Sequence, residues 1–215
     1  MQYKRGLLIW GYVLLFLGVV GFDQTAKFHA EKSYLQSSSS TEIANYTSSR
    51  HTVLTLGSPP VRYEEGDKQP DVVSKNWLRF DVAYLRNEGA VWGVFSSMPS
   101  VFRLGLFYSV TVIAVAGVLM LFRKSAPENK IYRTALVLVL AGAIGNFIDR
   151  LLLQYVIDFL HFSWRFLGWE YSFPVFNVAD VAIDVGIGLM LLDVVLQEGA
   201  AKRAQPQLAN LSEQS

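Results

Sequence analysis

Two aspartates stand where an apolar chain tolerates charge least. Asp180 closes the block Phe176-Asn177-Val178-Ala179-Asp180 at the mouth of a hydrophobic run that continues to Leu196, and Asp158, in Val156-Ile157-Asp158-Phe159, lies just beyond the end of the preceding run. Lipid offers a carboxylate no hydration, so ionisable groups within or bordering membrane helices mark pathways or reaction centres. Two crossings joined by a short loop bring these ends to the same side, so that the carboxylates face each other at one membrane surface. Two such acids held close together cannot both ionise cheaply; one pKa rises and the pair shares a proton near neutral pH. One acid then takes a proton from water while the other polarises or protonates a carbonyl, which hydrolyses an amide without serine, cysteine or metal.

The elements that must position this pair are membrane helices. The chain has 215 residues, 52% of them hydrophobic and 17% charged, too apolar for an ordinary soluble domain. Its net charge of +1 offers no basic face for a phosphate backbone, so nucleic acid is not an expected partner. The absence of cysteine excludes disulfides, thiolate catalysis and cysteine-bound metal. The histidines His29, His51 and His161 are scattered, and no pair has the spacing of helical zinc ligands, so neither a metal nor a cofactor is expected.

Hydropathy predicts an α-helical membrane protein: four transmembrane helices, over about 6–22, 101–122, 131–152 and 175–196, in a single membrane domain covering 1–215. The segment 28–100 is an extramembrane loop with β-strands, since Thr52 to Leu56 is β-prone and Leu78, Phe80, Val82 and Tyr84 alternate with Arg79, Asp81 and Ala83. Residues 153–174 form a second outer loop, in which Trp164, Phe166, Trp169 and Tyr171 suit a short interfacial segment or plain packing, and 197–215 is a tail. Lys4, Arg5, Lys202 and Arg203 flank the outer ends of spans one and four, and Arg123, Lys124, Lys130 and Arg133 crowd the link between spans two and three. The positive-inside rule then places both termini and that link in the cytoplasm and both loops outside.

With this topology Asp23, Lys27, Asn146, Asp149, Arg150, Asn177 and Asp180 gather at one surface, where random placement would scatter them between leaflets. Singly, each has a plainer reading: an i, i+4 pair for Asp23 and Lys27, snorkelling for Arg150, an interhelical hydrogen bond for Asn146. A proton- or ion-coupled carrier is the alternative class, and it predicts acids along a whole transmembrane path. Only Asp193 extends the line beyond Asp184, and no helix is broken at mid-depth as carrier sites often are.

The blocks Asp23-Gln-Thr-Ala-Lys27, Asn87-Glu-Gly-Ala-Val-Trp-Gly93, Gly145-Asn-Phe-Ile-Asp-Arg150, Val156-Ile-Asp-Phe159 and Phe176-Asn-Val-Ala-Asp180 occur in the order seen in lipoprotein signal peptidases. The chain resembles that family, signal peptidase II, across all four expected spans. The resemblance implies an aspartic endopeptidase of the bacterial inner membrane that removes signal peptides from prolipoproteins, cutting before the diacylglyceryl-modified cysteine at the extracytoplasmic face. It further implies Asp158 and Asp180 as the catalytic pair, and Asp23, Lys27, Asn87, Gly89, Asn146, Arg150 and Asn177 as supporting or substrate-binding positions. Arg150 and Asn87 are the expected donors to substrate backbone, and Asp149 is expected to be structural, paired with Arg150 or a neighbour. Implied partners are prolipoproteins and membrane lipids, with inhibition by globomycin; an inactive relative that binds lipoproteins or an antibiotic is a further alternative.

The sequence departs from the family pattern at Val91 and Trp92, in a stretch between Lys27 and Asn87 that is longer than typical, and at Asp184, one helical turn from Asp180. Asp184 either raises the apparent pKa values of the pair by like-charge repulsion or is electrostatically silent.

Overall fold

The computed structural model describes residues 2–37, 50–57, 76–89 and 98–212. The departures at Val91 and Trp92 and about half of the long stretch between Lys27 and Asn87 lie outside them. The described elements follow the order α1 (Gln2–Ser37), β1 (Arg50–Gly57), β2 (Trp77–Asn87), α2 (Ser100–Lys124), α3 (Lys130–Leu153), β3 (Val156–Phe166), β4 (Trp169–Ser172) and α4 (Val178–Ser212). They fall into two compact units, where the sequence suggests a single membrane domain. One comprises residues 1–22, 106–147 and 178–215, the other residues 23–105 and 148–177.

The first unit is helical. Leu7–Gln36, Ser100–Lys124 and Lys130–Leu153 are long and apolar enough to cross a membrane. The fourth expected span lies in α4, where Asp180, Asp184, Asp193 and Glu198 keep the helix outside that set. Trp10, Leu14 and Ile113 are exposed by 67%, 68% and 71%, a surface that hydrocarbon covers and water does not. Helices α3 and α4 approach closely through small residues, as membrane helices do where no hydrophobic effect draws them together. A Cβ at Gly186 would lie 2.7 Å from Val139 Cγ2 and 2.8 Å from Ala135 O, and one at Gly142 would collide with Ala179 O. Asn129 caps α3 by accepting from the Tyr132 amide at 3.1 Å, and its own amide donates to Asp193 at 2.9 Å. Asp193 is thus part of a local capping network.

The second unit is a four-stranded antiparallel sheet in the order β1-β2-β3-β4, with the C-terminal part of α1. Three expectations change across the two units. Helix α1 runs to Ser37, so residues 28–37, expected in the loop, are helical. Hydropathy ends at Phe22, but Ala26, Ala30, Glu31, Lys32, Leu35 and Gln36 are good helix formers and carry the helix on. Residues 156–166 and 169–172, expected as an outer loop with an interfacial segment, are strands that pair with β2 and with each other. Their hairpin turns through Leu167 (φ 50°) and Gly168 (φ 84°), the two positive φ values a tight type I′ connection requires. The expected tail after residue 196 continues as helix to Ser212.

Two local features aim the sheet. Gln154 ends α3 in the left-handed region (φ 70°), with its amide donating to Arg150 O at 3.1 Å, and this turns the chain directly into β3. The register between β2 and β3 shifts between Val82 and Leu85, which sets Leu85, Arg86 and Asn87 opposite Asp158, Ile157 and Val156. A bulge of this kind re-aims the side chains that follow it.

Candidate active site

Asp158 is 2% exposed, and both of its oxygens are seated on carboxamides. Asn177 donates to Oδ1 at 2.7 Å and Asn87 to Oδ2 at 2.8 Å. The Asn87 amide is itself oriented, because its Oδ1 accepts from the Gly89 backbone at 3.0 Å. Arg150 reaches the Gly89 carbonyl at 3.4 Å. Asn87, expected to bind substrate backbone, therefore gives a donor to Asp158.

Behind Asp158 lies a fully buried charge network. Lys27 is 1% exposed, and its Nζ lies 2.8 Å from Asp23 and 3.0 Å from Asp149. Asp149 also accepts from Gln24 at 2.9 Å and from the Ile157 amide at 3.1 Å. Its cationic partner is Lys27, where the sequence suggested Arg150 or a neighbour. Through the Ile157 amide the network fixes the backbone one residue before Asp158. An exposed i, i+4 ion pair contributes a few tenths of a kcal/mol; with both members of the Asp23 and Lys27 pair buried, that estimate does not apply.

A second cluster, absent from the sequence reading, holds the end of β2. Glu31 accepts from Tyr84 at 3.1 Å and Tyr155 at 3.3 Å, and Arg86 donates to the Tyr84 hydroxyl at 2.9 Å. Tyr34 stacks on Tyr84 with ring centroids 4.3 Å apart, and the Arg86 guanidinium lies 5.1 Å from the Tyr155 ring centroid. Burial, reinforced by the Glu31 charge, pushes the Tyr84 and Tyr155 hydroxyls above the usual phenol range. The signal in the sequence was the spacing of Asp23, Lys27 and Glu31, which places all three on one face of a helix.

In the helical unit, Asp180 stands in the first turn of α4, where the helix dipole favours its charge. Asn146 donates to its Oδ1 at 2.8 Å. Gly142, one turn before Asn146, permits this by letting α3 approach the Ala179 carbonyl. Gly142→Leu is expected to force the helices apart, at a cost of about 1–3 kcal/mol. The Asn146 to Asp180 bond should go with it. Thermal unfolding in detergent and cleavage rate check this, and a variant with native stability and rate would contradict it. Asp184 lies on an exposed part of the same helix. No group of acids and histidines able to hold a metal occurs among the described residues.

Each carboxylate is thus presented on neutral amide donors by a short polar block on a helix end or strand. Residues 15–196 match the family model described as signal peptidase (SPase) II. The chain is similar to the lipoprotein signal peptidase of Anaeromyxobacter sp. (strain Fw109-5), with 43% identity over 125 residues covering 57% of this chain and 56% of that protein. It is similar to that of Halalkalibacterium halodurans at 41% identity, covering 55% and 70%, and to that of Symbiobacterium thermophilum at 41%, covering 55% and 72%. A solved bacterial membrane enzyme, determined in meso at 2.3 Å, is 27% identical with a TM-score of 0.57, covering 90% of this chain and 92% of that one. By the extent of the model match and these identities, the chain belongs to the signal peptidase II family.

Proposed function

We propose that this chain is an aspartic endopeptidase that removes signal peptides from prolipoproteins, with Asp158 and Asp180 acting as one acid–base pair. The observation that carries this reading is the seating of both acids on carboxamides: Asn87 and Asn177 on Asp158, Asn146 on Asp180. Such donors orient a carboxylate and leave it able to exchange a proton. Asn177, the donor to Asp158, stands only three residues before Asp180 in the chain. In the reaction, one aspartate takes a proton from water as the water oxygen bonds to the scissile carbonyl carbon, and the other supplies a proton to the carbonyl oxygen. The tetrahedral intermediate then collapses: one of its hydroxyls returns a proton to the second aspartate as the C–N bond breaks, and the leaving amine takes a proton from the first.

The substrate class is the diacylglyceryl-modified prolipoprotein, cut before the lipidated cysteine. Incubating the purified protein with such a precursor, with and without globomycin, tests this by gel shift: cleavage that globomycin blocks supports it, and an intact precursor contradicts it. The carrier alternative loses its extension along α4, because Asp193 is held by Asn129 at 2.9 Å and Gln197 at 2.7 Å.

The orientation we propose has both termini in the cytoplasm of a bacterial inner membrane and the site at the outer face. It rests on the placement of Lys4, Arg5, Arg123, Lys124, Lys130, Arg133, Lys202 and Arg203. A reporter fused after Ser215 should be active only in the cytoplasm; activity confined to the far side would overturn the topology.

Asp184→Thr tests the remaining acid of α4. Asp184 is exposed on that helix, so replacing it should keep turnover. Complete loss of turnover would place Asp184 with Asp158 and Asp180 in the chemistry.

A further inference from the structure

The sheet carries a second group of polar side chains that amide hydrolysis does not use. Asp81 on β2 and His161 on β3 are opposite each other in register and are 1% and 2% exposed. Asp81 Oδ2 lies 3.1 Å from His161 Nδ1, and Ser172 Oγ lies 2.8 Å from His161 Nε2. Arg79 Nε donates to the other Asp81 oxygen at 2.7 Å, which favours the ionised carboxylate. A carboxylate only accepts, so Nδ1 carries the ring hydrogen; in the neutral ring Nε2 then accepts, and the Ser172 hydroxyl donates to it. This is the order of orienting acid, base and nucleophile that activates a serine.

The strand positions complete the arrangement. Ser172 pairs with Ser163 and so sits diagonal to His161, at the exposed end of the relay. The neighbouring Phe173 amide donates inward to Phe162 O at 2.8 Å. By strand alternation the Ser172 amide points away from β3, to the side of β4 where no strand pairs among the described residues. A nucleophile's own backbone N–H is one of the donors an oxyanion hole uses.

We propose that Asp81, His161 and Ser172 form a seryl acyl-transfer site, with its own nucleophile and base, whose substrates are carboxylic esters. Ser172 Oγ bonds to the ester carbonyl carbon as its proton passes to His161 Nε2. The ester C–O bond then breaks, and the alcohol leaves with that proton. Water attacks the acyl-serine with His161 again taking and returning the proton, which releases the carboxylic acid and restores the hydroxyl.

The test treats the purified full chain with a fluorophosphonate probe, reads intact mass and maps the adduct, with p-nitrophenyl butyrate hydrolysis followed in parallel. The expected result is a single adduct on Ser172 whose rate of formation rises with pH as one group deprotonates. Ser172→Ala should carry no adduct, and His161→Gln should react about a thousand-fold more slowly. Because His161 is buried, thermal unfolding of its variant is read alongside; the position of the adduct in the unsubstituted protein requires no variant at all. A wild-type protein that takes no probe, an adduct on another residue, or full labelling of Ser172→Ala would overturn the proposal and leave His161 as a structural tie between strands.

Discussion

Asp158→Asn is expected to lower prolipoprotein cleavage by about four orders of magnitude or more, and Asp180→Asn to do the same. Neither carboxamide can accept the proton of the attacking water or cycle one to the carbonyl, and the remaining acid cannot do both tasks. The losses should not add, so the double variant should be hardly slower than either single one. Asn is close in shape to Asp, and Asp158 already sits between two amide donors. A buried Asn there must turn its oxygen toward one donor and its own N–H toward the other, so some loss of stability accompanies the substitution. Thermal unfolding in detergent separates that loss from the loss of chemistry. A single variant that kept near-native turnover would remove its aspartate from the mechanism.

Lys27→Met should be the most destabilising substitution near the site. Lys27 is the cation between Asp23 and Asp149, which are 0% and 2% exposed. Removing one partner of a buried ion pair costs about 3–5 kcal/mol, because the surviving charge has neither water nor counter-ion. Here two carboxylates are left. The effect should reach Asp158 as well, since Asp149 binds the Ile157 amide that precedes it. Combining Lys27→Met with Asp23→Asn and Asp149→Asn should restore part of the lost stability by removing the orphaned charges. Unfolding followed with increasing denaturant checks both; a loss below about 1 kcal/mol for Lys27→Met would contradict the part assigned to the network.

The polar residues proposed for the site stand out in the sequence because an apolar background makes them conspicuous. Asp23, Lys27, Asn146, Asp149, Asn177 and Asp180 each interrupt or border a hydrophobic run. Which of them pair was less legible. Lys27 meets Asp149 across more than a hundred residues, a choice set by packing that no local spacing encodes. The continuation of α1 to Ser37 was missed because hydropathy marks where lipid contact ends, whereas helix propensity and the spacing of Asp23, Lys27 and Glu31 mark where the helix ends. Strands β3 and β4 were hidden for a related reason. Trp164, Phe166, Trp169 and Tyr171 suit a headgroup layer and a sheet equally well by composition, and only the pairing of β3 with β2 decides between them. The chemistry of Asn87 marks it as a donor, but the register shift that precedes its bond to Asp158 has no sequence signature.

The most direct test of the central claim is the mass of the products formed when the purified protein meets a diacylglyceryl-modified prolipoprotein. The expected products are a lipid-bearing polypeptide that begins at the modified cysteine and the intact signal peptide, and the Asp158→Asn and Asp180→Asn proteins should form neither. A cut at any other bond, or the same products from either variant, would contradict it.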